Sequence, residues 1–140
     1  MSLVTRSVLI RPYTDADLSA LRRLHETQGF DYAFPDLCNP LFLSKLVVED
    51  DAGRAVMASL ARLTCEIYLL MDPAAGTPRD RFARIAALQR AGEADLRTRG
   101  LEDAHAWLPP RIAARFGRRI ERLGWLCDDA WTPYCRRFIP

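Results

Sequence analysis

The stretch Asp72-Pro73-Ala74-Ala75-Gly76-Thr77-Pro78 constrains this chain more than any other. Proline has no amide to give to a strand ladder or a helix interior, and glycine brings no side chain to pack. No regular element can run through it. It cuts the chain into an upstream part that reads mainly as strands and a downstream part that reads mainly as helices. Charge changes at the same place. Residues 1–75 carry 7 basic and 10 acidic side chains, whereas residues 76–140 carry 13 basic and 8 acidic. Of the 20 basic residues only Lys45 is lysine. Arginine suits phosphate because its planar fork donates two parallel bonds. The competing reading is a compositional bias toward arginine on solvated helix faces, since acids are interleaved with the arginines.

Upstream of the break, Val8–Pro12 reads as a first strand. Thr14 with Asp17 three residues on resembles a capping box, and Leu18, Leu21, Leu24 and His25 recur at helical spacing. This predicts a helix from Asp15 to about Gln28, closed by Gly29. Phe30–Pro40 is aromatic and broken by proline, and is expected to be a loop. Leu41–Glu49, Ala55–Leu63 and Cys65–Met71 have strand composition, with the turn signal Asp50-Asp51-Ala52-Gly53 between the first two. An antiparallel meander over Leu41–Met71 is the expectation.

Downstream, Thr77 stands as an N-cap with Pro78 at the first helical position and Asp80 at the third. The helix should run to about Arg99 and stop at Gly100. Ala104–Leu108 reads as a strand, and Pro109-Pro110 starts a second helix with Ile112, Phe116, Ile120 and Leu123 along one face. Trp125–Asp128 and Trp131–Phe138 read as two closing antiparallel strands. The whole is expected to be one α/β domain over residues 1–140, with a mixed, mostly antiparallel central sheet of about six to seven strands and helices on both faces.

Composition narrows the function classes. No run approaches the ~20 apolar residues that cross a bilayer, so no membrane partner is expected. The N-terminal residues lack the pattern of a signal peptide, which points to the cytoplasm. Cys38, Cys65, Cys127 and Cys135 have no CxxC or Cys/His spacing, so they read as reduced thiols in or near the core, with no metal site. A net charge of +2 and a pI near 8.5 fall short of a nucleic-acid-binding footprint. No Gly-x-Ser-x-Gly elbow and no nucleotide P-loop occur.

The phrases VLIRPYTDADLSALRRLH, KLVVEDDAGRAV, EIYLLMDP and RRIERLGWLCDD followed by WTPYCRRF, in this order and spacing, resemble the GCN5-related N-acetyltransferase (GNAT) family over nearly the whole chain. The resemblance implies acetyl-CoA bound where the fourth strand ends and the central helix begins. Leu70, Met71, Gly76, Thr77, Arg79 and Arg81 occupy that stretch. The family's loop has the form (Arg/Gln)-x-x-Gly-x-(Gly/Ala), whose bare amides hold pyrophosphate at a helix start. Here only Gly76 remains of the glycines, and Pro78 removes one amide. The position of the family's general-acid tyrosine is Ile120, and that of its asparagine is Ala113. An enzyme built on this chain would need another proton donor, such as water or Tyr134.

The resemblance also implies a general base. Glu66, on the fourth strand, could take a proton from a substrate amine, directly or through water. The competing reading is a carboxylate on an exposed strand position. His105, in the short strand before Pro109, falls near where substrate and cofactor would meet. His25 reads as a half-buried structural histidine. Phe30, Asp31, Tyr32 and Asp36 match the family's substrate loop, with the acids to pair an amine and the aromatics to wall a pocket. Plugging one end of the core is the competing role for these aromatics. Two functions follow. One is an acyl-CoA-dependent N-acyltransferase acting on a small-molecule amine by direct attack. The other is a catalytically inactive binding or assembly module whose arginines contact an acidic partner. A homodimer through the last strands is expected from the resemblance alone.

Overall fold

The computed structural model describes residues 8–129 and 131–139. In chain order these form β1 (Leu9–Pro12), a 3-10 turn (Asp15–Asp17), α1 (Leu18–Gln28), β2 (Phe42–Glu49), β3 (Ala55–Arg62), β4 (Cys65–Glu66), α2 (Pro78–Thr98), β5 (Ala104–His105) and α3 (Pro110–Glu121). The chain divides into two units, one of residues 1–65 and 97–103, the other of residues 66–96 and 104–140.

The first unit is built on a three-stranded antiparallel sheet in the order β1-β2-β3. Leu9 faces Glu49 and Pro12 faces Leu46, while Val47 sits between Arg11 and Ala58. The β2–β3 hairpin is closed by Asp50, whose carboxylate accepts from the amides of Ala52 and Arg54 at 2.9 Å each. Register shifts interrupt this pair between Phe42 and Ser44 and between Val48 and Glu49. Helix α1 packs on β3 and ends at Gly29, whose φ of 69° is the left-handed turn that spares glycine a Cβ clash. Among the described residues Leu21, Leu37, Leu41 and Val47 are the buried apolar side chains, Val47 fully so. Each contributes roughly 1.5–3 kcal/mol by leaving water. On the opposite sheet face Ile10, Leu46 and Met57 remain exposed.

Asp17 is buried with them and is held by charge. Its carboxylate accepts two bonds from the Arg11 guanidinium, at 2.7 and 2.8 Å, and one from the Thr14 amide at 2.9 Å. Arg11 also pairs with Glu49 across β1 and β2. These bonds hold Asp17 well below the usual carboxylate range, the Arg11 side chain contributing most. A second ion cluster joins Arg62 on β3 to Glu102 at 2.8 Å and Asp103 at 3.0 Å, and Asn39 donates to Glu102 at 2.9 Å.

In the second unit α2 starts on a reciprocal cap. The Thr77 amide donates to Asp80 Oδ2 at 2.9 Å, and the Asp80 amide donates to Thr77 Oγ1 at 3.1 Å. Gln89 ties α2 to the turn after α3, donating to the Leu123 carbonyl at 2.8 Å and accepting from Trp125 Nε1 at 2.9 Å.

The expected sheet of six to seven strands is not formed. Three strands make one sheet, and β4 with β5 makes a separate two-stranded one. The run Cys65–Met71 is a strand only over Cys65–Glu66, and Ala104–Leu108 only over Ala104–His105. The meander therefore stops at β3. Trp125–Asp128 and Trp131–Phe138 form no strand. Strand composition marks a segment able to pair, but a strand needs a ladder partner for its amides. Pro133 also removes a donor from the last segment. The cysteines depart from expectation too. Cys38, Cys127 and Cys135 are exposed, and only Cys65 is half-buried, all as free thiols. Among the described residues no helix is long and apolar enough to cross a membrane.

Candidate functional site

The residues of greatest chemical interest lie in the second unit, around the β4–β5 pair and the start of α2. Glu66 and His105 are on the two paired strands, and the Ile67 amide donates to the His105 carbonyl at 2.8 Å. Beyond that bond the described chain of Tyr68–Met71 and of Ala106–Leu108 has no strand pairing. The His105 ring stacks on Trp107 with centroids 6.3 Å apart. Sequence reasoning missed Tyr68. The nearby Glu66 carboxylate raises the Tyr68 phenol above its ordinary range.

The predicted cofactor stretch forms a shallow groove of about 200 Å³ at the start of α2. Leu69, Leu70, Met71, Ile85 and Leu88 give it apolar walls, and Asp72, Arg81 and Arg84 supply charge. Of the predicted cofactor residues, Leu70, Met71 and Arg81 line it, while Gly76, Thr77 and Arg79 do not.

Local hydrogen bonds decide how a CoA-type group would fit here. The loop amides that a phosphate would need are used internally. The Ala74 amide donates to Asp72 Oδ1 at 2.9 Å, the Ala75 amide to the Asp72 carbonyl at 3.2 Å, and Thr77 and Asp80 cap each other. Capping by the Thr77 amide and hydroxyl holds the Asp80 carboxylate below its ordinary range. Gly76 has φ 75°, and a Cβ there would meet Arg84 Nη1 and Asp80 Cβ at 3.1 Å. Its glycine is thus explained by the tight cap alone. An amide cradle does not fit these residues, but guanidinium donors do. Arg81 spends one donor on the Gly76 carbonyl at 2.6 Å and Arg84 one on the Ala75 carbonyl at 3.2 Å, leaving other nitrogens on each. Arg79 is exposed and has no partner among the described residues.

The predicted substrate residues belong to the first unit. There Phe30 stacks on Tyr32 at 5.4 Å, and His25 meets Tyr32 and Phe34 edge-on at 5.0 and 5.7 Å. The Arg22 guanidinium lies over the Phe34 ring at 5.5 Å. These aromatics form a cluster against α1, while Phe30 and Tyr32 keep exposed edges. Buried His25 Nε2 has no hydrogen-bond partner. Asp36 Oδ1 accepts from the Cys38 amide at 3.0 Å, and Asp31 is exposed. Tyr134 is 94% exposed. No group of three or more metal-binding side chains converges among the described residues.

No family model, no curated protein and no solved structure matches this chain.

Proposed function

We infer that this chain is an acyl-CoA-dependent N-acyltransferase that holds cofactor phosphates by arginine rather than by backbone amides. The reading rests on the apolar groove at the start of α2, which carries Arg81 and Arg84 in the unit that also carries Glu66. It does not rest on the size of the sheet. Bound acyl-CoA would supply an activated acyl group. Arg79, Arg81 and Arg84 would pair with its phosphates through charge-assisted bonds. The Glu66 carboxylate accepts the proton that a primary amine loses as its nitrogen bonds to the acyl carbon. Tyr68 is the neighbouring group whose phenol responds to that carboxylate. The sulfur leaving group takes its proton from water, since Ile120 offers none.

A second reading has its own support. The loop amides are self-capped and Ile120 stands where the family's acid would be. Both features suit a module that binds without catalysis.

Calorimetric titration with acetyl-CoA and with CoA separates the two. The acyltransferase reading expects micromolar binding that falls at least tenfold in Arg79→Ala plus Arg81→Ala, because each lost charge-assisted bond costs about 1.5–3 kcal/mol. Binding would justify a screen of amine acceptors, in which Glu66→Gln lowers turnover with CoA affinity retained. No heat up to millimolar ligand, from a sample with folded circular dichroism, removes this reading and leaves the module.

A further inference from the structure

Helix α3 sorts its side chains sharply. At ~100° per residue, Arg111, Arg115, Arg118 and Arg122 fall within an arc of about 60°, and Arg119 lies about 40° beyond it, next to Ile112. Ile112, Phe116, Ile120 and Leu123 fall on the adjoining arc. The arginines extend over about 16 Å of helix axis and its following turn. All five are exposed, and no side chain among them has a hydrogen bond or ion pair to the described residues. Glu121 is the only acid on the helix. The chain after α3 adds exposed apolar bulk, with Leu126 89%, Tyr134 94%, Phe138 92% and Ile139 80% exposed beside Arg136 and Arg137.

We propose that α3 and the segment after it form a docking surface for an anionic lipid bilayer. Two features select that occupant. The arginine row calls for a dense array of anionic oxygens, and headgroup phosphates provide one. Phe116, Ile120 and Leu123 are already half-buried, but the exposed Ile112, Leu126, Phe138 and Ile139 gain nothing from a nucleic-acid backbone and gain burial in the acyl boundary. A basic helix with an apolar flank lies in the plane of the interface, and exposed aromatic side chains sit at headgroup level. No helix among the described residues is long and apolar enough to span a bilayer, but an in-plane helix needs no spanning segment. The proposal is independent of the acyltransferase reading, since neither Glu66 nor the α2 groove takes part.

The test is co-sedimentation of the full chain with vesicles of phosphatidylcholine, with and without phosphatidylglycerol. Binding should require phosphatidylglycerol and weaken as salt rises, because lipid charge is screened within a Debye length. Arg115→Gln with Arg118→Gln and Arg122→Gln should lower partitioning roughly a hundredfold, at about fivefold per arginine near an anionic surface. Circular dichroism confirms that the triple variant keeps its helices. If that variant misfolds, the salt and lipid dependence of the unaltered chain decides. Equal binding to neutral vesicles, no binding to either, or retention on a single-stranded oligonucleotide without vesicle binding overturns the proposal.

Discussion

Replacing Asp17 by asparagine tests the account of the first unit most directly. Asp17 is 6% exposed and joins three segments: β1 through Arg11, the 3-10 turn it belongs to, and the Thr14 amide that caps it. The substitution keeps the volume and removes the charge. Two charge-assisted bonds to Arg11 are weakened, each worth about 1.5–3 kcal/mol when formed. Full loss would reach about 5 kcal/mol, but the Arg11 side chain is 29% exposed and still has Glu49 and water. The expected cost is therefore about 2–3 kcal/mol. For a unit of this size that corresponds to a fall in Tm of roughly 10–20 °C. Thermal and urea unfolding followed by circular dichroism provide the assay. The pH dependence supplies an independent arm. Because the folded state depresses the Asp17 pKa, its stabilisation is present above the unfolded value near 4 and is lost as pH falls below it. The natural chain should lose this contribution on acidification, whereas Asp17→Asn should lack that component. A cost under about 0.5 kcal/mol, typical of an exposed pair, would refute the claim that a buried carboxylate organises this unit.

Two further outcomes follow from the second unit. Gly76→Ala should loosen the α2 cap by about 1–2 kcal/mol, through the left-handed backbone and the crowding against Arg84 and Asp80; hydrogen exchange of the first turn of α2 should accelerate, and an unchanged rate would contradict the cap. Glu66→Gln should bring the Tyr68 phenol back toward its ordinary pKa, because the Glu66 carboxylate that raises it is removed; an ultraviolet titration of the phenol that does not move would refute Glu66 as the cause.

The local elements were legible in the sequence because local chemistry fixes them. Thr77, Pro78 and Asp80 start α2 by satisfying amides that no helix can satisfy for itself, and Gly29 ends α1 in a conformation costly for other residues. Asp50 closes the β2–β3 hairpin by accepting amides within a few residues. The self-capping of the α2 loop was only half legible. Thr77 and Asp80 announced a good cap, but only the geometry shows Asp72, Asp80 and Thr77 occupying the amides that a phosphate would have used.

What the sequence could not decide is which strands find partners. Tyr68–Met71 and Trp131–Phe138 have the composition of strands, yet pairing depends on edges supplied by residues far along the chain, and alternation or apolar content carries no record of them. The same holds for charge. Arg62 and Arg11 look like any surface arginine in the sequence, and the folded chain makes one bridge Glu102 and Asp103 and the other hold buried Asp17. By itself the sequence determined caps, turns, helical faces and the arginine row of α3, all set by spacing within a few residues. The tertiary structure alone decided the extent of the sheet, the partners of the buried charges and the loss of the amide cradle, because each depends on groups brought together through space.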